Sequence, residues 1–110
     1  MANVFRNSIT GSIGTNGVIA YQAPASTTTT IIGMNVANVA SQNISVSAMV
    51  RNATANKTVY LVKDALIMPG SATVLLGGEQ KIVLGQNDFV SVTSSLANSA
   101  DVIVSVLELT

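Results

Sequence analysis

The sequence predicts an all-β chain: a single antiparallel β-sandwich, jelly-roll or immunoglobulin-like, of about eight short strands with an extended N-terminal arm. Three observations carry this. Apolar and polar residues alternate with period two, most cleanly where Ile44, Val46, Ala48 and Val50 interleave with Ser45, Ser47 and Arg51, which puts one set on each face of a strand. Turn formers (Gly, Pro and Asn) recur at the interval of about 8–12 residues expected of sandwiches. No stretch repeats apolar residues at three- and four-residue steps behind a capping box, and 95–100 offers a single helical turn at most.

A chain of 110 residues supports one core, because two would each bury too little apolar surface. Its first 16 residues hold Ser8, Gly11, Ser12, Gly14 and Thr15 among few apolar side chains and read as an extended arm, with 17–110 as the sandwich. The arm could lie along a neighbour with Phe5 and Ile9 inserted, or it could be a frayed terminus.

Residues 18–21 form a short first strand closed by Pro24. The β-branched run from Thr28 leads through Met34 and Val36 to Val39, a long strand in which Gly33 marks a bulge or a close approach. Ala40-Ser41-Gln42-Asn43 would join it in a hairpin to the alternating strand at 44–51. After the turn-rich 52–56, residues 57–62 make the next strand, interrupted by Lys63-Asp64 and continued by 65–68. Pro69-Gly70 predicts a type II turn, since Pro presets φ and Gly accepts the positive φ that follows. Ala72, Val74 and Leu76 then alternate until Gly77-Gly78, read as hairpin glycines, and short strands follow at 81–84 and 89–93. In the last strand, 101–109, apolar residues occupy nearly every position. Either it is buried on both faces or its outer face meets another subunit.

The composition narrows function. Hydrophobic residues are 48% of the chain and mean hydropathy is +0.52, so the chain folds and is not disordered. Charged residues are 9%, far below the roughly 25% of an average soluble domain, and five basic balance five acidic residues. Arg6, Arg51, Lys57, Lys63 and Lys81 are scattered, without the basic stripe that neutralises phosphates, so nucleic acid is not an expected partner. No apolar run approaches the roughly 20 residues that span a bilayer, and the opening residues lack the form of a secretion signal, so neither a membrane nor export is expected. So little charge implies that much of the surface faces a partner.

No catalytic constellation is visible. The sequence has no His, Cys or Trp, which removes Ser-His-Asp and Cys-His nucleophiles, thiolate and imidazole metal sites, and the commonest general base. Asp64, Glu79, Asp88, Asp101 and Glu108 do not pair as a glycosidase requires, with Glu108 expected to point outward. They are too sparse for calcium, and Asp88 is better read as capping a turn. The glycines make no phosphate loop, because no helix and no Lys-Ser/Thr pair follows them. No enzyme activity, cofactor or metal is therefore expected. Lys63-Asp64 is either an outward pair at a bulge or a polar contact at an interface. Tyr21, Tyr60 and Phe89 are assigned mostly to the core, too few rings for a sugar-stacking platform. A carbohydrate- or host-surface-binding module is the alternative function.

The opening Met1-Ala2-Asn3-Val4-Phe5-Arg6-Asn7-Ser8-Ile9-Thr10 resembles small virion proteins of tailed bacteriophages. So do the Val59-Tyr60-Leu61-Val62-Lys63-Asp64 run with Ile67 and Pro69-Gly70 behind it, Lys81-Ile82-Val83-Leu84 with Asp88 after it, and the closing Asp101-Val102-Ile103-Val104-Ser105. The resemblance implies a non-enzymatic β-sandwich component of the virion, made in the host cytoplasm and present in many symmetric copies. A capsid decoration or cement protein comes first and a neck or tail component next, with the major capsid protein or neck and tail proteins as partners beside copies of itself. No individual residue role follows from it. The residues themselves nominate Phe5 and Ile9 of the arm and Val102, Val104 and Val106 of the last strand as the interface.

Overall fold

The structure, a computed structural model, describes residues 3–76 and 81–110. Among them are nine strands and no helix: β1 (Asn3–Ile13), β2 (Val18–Gln22), β3 (Thr28–Asn38), β4 (Ile44–Asn52), β5 (Lys57–Ile67), β6 (Ala72–Leu76), β7 (Ile82–Leu84), β8 (Phe89–Ser94) and β9 (Ala100–Leu109). They form two antiparallel sheets. One runs β1-β9-β3-β6 with β7 also on β3, and the other runs β2-β8-β4-β5.

The pairings are nested. β1 pairs with β9, β2 with β8, β3 with β6 and β7, and β4 with β5, so the chain is one long folded-back ribbon rolled into a sandwich. That is the jelly-roll solution, in which most successive strands alternate between sheets. The expected eight strands become nine because one edge position is split. β6 pairs with Met34–Ala37 and β7 with Thr29–Ile31, at the two ends of the same edge of β3.

Inward residues of both sheets make the core. Ile31, Met34 and Val36 of β3 and Val102, Val104 and Val106 of β9 meet Ile44, Val46 and Ala48 of β4 and Val90 and Val92 of β8. The bulge at Gly33 is present, with Ile31 opposite Val106 but Gly33 opposite Ser105, so Ile32 is the extra residue. Lys63-Asp64 also forms a bulge, facing outward: both fit between Val62 opposite Ala48 and Ala65 opposite Val46. Asp64 takes φ 55° there and its amide donates to Ser47 Oγ at 3.0 Å. Gly70 has φ 74° and the Ser71 amide donates to the Met68 carbonyl at 3.1 Å, the turn expected of Pro69-Gly70.

Several expectations are corrected. The 40–43 link closes no hairpin, because β3 and β4 lie in different sheets and the link crosses between them. The segment read as an arm is the edge strand β1, registered from Asn3 opposite Leu109 to Ile13 opposite Ala100, and Ile13 is buried in the core. Val102, Val104 and Val106 face the interior, so the outer face of β9 is the other one. Glu108, in phase with these valines, is buried with them and does not point outward. Tyr60 is exposed. The Gly77-Gly78 break and Glu79 lie outside the described residues.

Candidate assembly interface

The outward residues of the five-stranded sheet line up in cross-strand rows. Phe5 lies opposite Leu107, Leu107 opposite Thr30, and Thr30 opposite Val83. Four residues along β1, Ile9 lies opposite Ile103, Ile103 opposite Asn35, and Asn35 opposite Val74. Side chains directly opposite share a face, so each row is a ridge across the sheet, apolar except for Thr30 in the first and Asn35 in the second. Phe5 is 73% exposed, Ile9 72%, Val74 68% and Val83 67%, with Ile103 and Leu109 also open to solvent. Between the ridges runs a row of Asn7, Ser105 and Gly33, which carries little side-chain bulk. Beside Ile9 and Ile103 the face dips into a hollow of about 190 Å³, completed by Asn35, Ala37 and Asp101.

Of the five residues nominated from the sequence, the structure therefore brings Phe5 and Ile9 onto this face and removes the three valines from it. Ile103, Val74 and Val83 were missed. Period-two phasing against Val102 identifies Ile103 as soon as the inner face is known, whereas Val74 and Val83 join the face only through pairings with β3 that no local pattern announces.

A contiguous exposed apolar face of this kind is a candidate contact surface. The rows contain no charged residue, and Asp101 at their margin accepts the Ser12 amide at 3.0 Å, holding the irregular end of β1. The opposite sheet has exposed apolar side chains too, Tyr60, Leu66 and Met68, along or just beyond its edge strand β5. There the Asp64 bulge and Lys63, whose ammonium sits 5.3 Å from the Tyr60 ring centroid, guard the edge against strand addition.

Among the described residues, buried polar side-chain atoms find partners inside the molecule. The Glu108 carboxylate accepts from Arg6 Nε at 2.8 Å and from the Tyr21 hydroxyl at 2.5 Å, and Tyr21 Oη lies 2.9 Å from Thr29 Oγ1. This cluster ties β2 of one sheet to β1, β3 and β9 of the other. Burial, then the bond to Glu108, pushes the Tyr21 hydroxyl from its ordinary 10.0 up to about 12. A raised folded-state value favours the neutral phenol, so its contribution is complete below pH 10 and lost as pH rises through 12. A shift of that size corresponds to about 2–3 kcal/mol. Tyr21→Phe is expected to lower stability at neutral pH by about 1–2 kcal/mol and to flatten the alkaline limb, measured by urea denaturation between pH 8 and 12.

Asp88 does cap a turn, accepting the Gly85 amide at 2.9 Å, and it also takes the Ala53 amide at 2.7 Å. Among the described residues no group of three or more His, Cys, Asp or Glu could hold a metal ion. Tyr21 and Tyr60 lie on β2 and β5, the opposite edges of one sheet, and Tyr21 is buried, so they do not build a shared stacking platform for a sugar.

No protein-family model matches the chain, and no curated protein matches it. Among solved structures, it is similar to a chain from Bacillus endospore appendages, described as a family of disulfide-linked pili. Identity is 12%, with 98% of this chain and 88% of that one covered at a TM-score of 0.58. The fold is shared. Chains from infectious bursal disease virus, Gx and Gt strains, match at 14% and 7% identity with TM-scores of 0.46 and 0.41, covering 94% and 98% of this chain. This chain spans about a third of each viral chain, 33% and 35%.

Proposed function

We propose that this protein is a non-enzymatic structural subunit that works by packing its five-stranded sheet against other protein surfaces in a large assembly. The observation that carries the reading is the pair of exposed apolar ridges led by Phe5 and Ile9. A chain of similar fold from a family of disulfide-linked pili supports it. That family is described as disulfide-linked, and this sequence has no cysteine, so its contacts form without disulfides and rest on apolar burial. The assembly proposed is the virion of a tailed bacteriophage, as a capsid decoration or cement protein, with a neck or tail position next. The low charge and the absence of His and Cys accord with this.

The experiment is co-sedimentation of the chain with large particles from producing cells. The wild-type protein is expected in the particle fraction, and Phe5→Asp is expected to reduce attachment at least about tenfold, which is about 1.4 kcal/mol. Because Phe5 is mostly solvent-exposed, its replacement should alter thermal stability by no more than about 0.5 kcal/mol. A wild-type chain found only in the soluble fraction would refute the reading.

A further inference from the structure

We propose that the outer face of the five-stranded sheet is self-complementary and that its occupant is the same face of a second copy, related by a two-fold axis. The proposal rests on the assembly reading above and names the partner. β1 presents a knob, Phe5, and about 13 Å along the same strand the sheet presents the hollow beside Ile9, Ile103 and Asn35. A two-fold operation sends each knob to the other copy's hollow, which is the reciprocity an isologous contact requires. The low row of Asn7, Ser105 and Gly33 between the ridges leaves room for the approach.

Area and charge select a second copy over an unrelated partner. From Asn3 to Gly11 the face runs about 27 Å, and four strands span about 19 Å, so each copy contributes about 500 Å². The pair buries about 1,000 Å², the lower limit for a specific contact. Such a contact is weak alone and gains strength by repetition, which suits a many-copy subunit. Facing copies would repel if the face were strongly charged, yet its two ridges carry no charged side chain, and the carboxylate of Asp101 in the wall of the hollow accepts the Ser12 amide of its own chain. Ridges without charge also offer little electrostatic means of selecting a foreign partner.

The absence of cysteine makes the test clean. In one chain positions 5 and 35 lie about 16 Å apart across the sheet, beyond the roughly 7 Å Cα limit of a disulfide. The double variant Phe5→Cys/Asn35→Cys can join these two positions only between copies. Under mild oxidation it is expected to give a covalent dimer whose linked peptides join 5 to 35. Sedimentation equilibrium should show a concentration-dependent dimer for the wild type, weakened at least tenfold in Phe5→Asp and in Val74→Asp, each with an unchanged circular dichroism spectrum. Dimers linked 5 to 5, or formed equally by Leu66→Cys on the other sheet, would overturn the two-fold pairing. A wild-type monomer at every concentration that still sediments with particles would overturn self-pairing and leave the assembly reading standing with a foreign partner. A chain that does neither removes both.

Discussion

A chain lacking Asn3–Ile13 is expected to lose its cooperative unfolding transition, or to melt tens of degrees below the full-length protein, in a calorimetric or circular dichroism scan. The deletion strips the edge of β9 along nearly its whole length. It takes Ile13 from the core, where loss of a large aliphatic side chain alone costs about 2–5 kcal/mol. It also removes Arg6, leaving Glu108 buried with only the Tyr21 hydroxyl to answer its charge. Ser8 Oγ no longer donates to the Ala20 carbonyl, a 2.6 Å bond that links β1 to the facing sheet. These losses together rival the roughly 5–15 kcal/mol that holds an ordinary domain folded. A near-normal melting temperature would instead mean that the segment is the dispensable arm its composition suggests.

The second large effect is expected at Asp88. Its carboxylate sits in the buried junction between the 85–88 turn and the β4–β5 turn, bonded to the Gly85 and Ala53 amides, while its own backbone carbonyl accepts the Ala23 amide at 2.9 Å. Asp88→Ala leaves two donors without an acceptor in a place water reaches poorly, and each such loss costs about 1–3 kcal/mol. A total of about 2–4 kcal/mol is expected in urea unfolding, with Asp88→Asn recovering part of it. The end of the sandwich should loosen first, seen as faster hydrogen exchange at Gly85 and Ala53.

Much of the fold is legible in the residues because strand formation and turn formation are local. The alternation from Ile44 to Val50 appears as β4, and the β-branched run at 28–39 as β3 with its bulge beside Gly33. The turn at Pro69-Gly70 depends on backbone preferences that no distant residue overrides. The link at 40–43 misleads because a short polar connector can close a hairpin or cross between sheets. Which one occurs depends on where β6, β7 and β9 find room beside β3.

The last strand shows the same limit at the interface. Period two places Val102, Val104, Val106 and Glu108 together on one face, and this grouping is correct. With apolar residues on both sides of the strand, nothing local says which face is inside, and choosing the wrong one turns every residue over at once. The charge of Glu108 locally argues for the outer face, yet Arg6 and Tyr21, 102 and 87 positions away in the chain, satisfy it inside.

By itself, then, the sequence determined the all-β class, most of the strands, the absence of His and Cys and the apolar character of Phe5 and Ile9, because propensity, periodicity and chemistry belong to residues and their near neighbours. Tertiary structure alone decided that β1 completes the sheet, that the valines of β9 face inward, and that Ile103, Val74 and Val83 join Phe5 and Ile9 on one surface. The reason is nesting: each of those facts depends on closing the ribbon from Asn3 to Leu109, and the free energy of that closure is shared among all the strands it brings together.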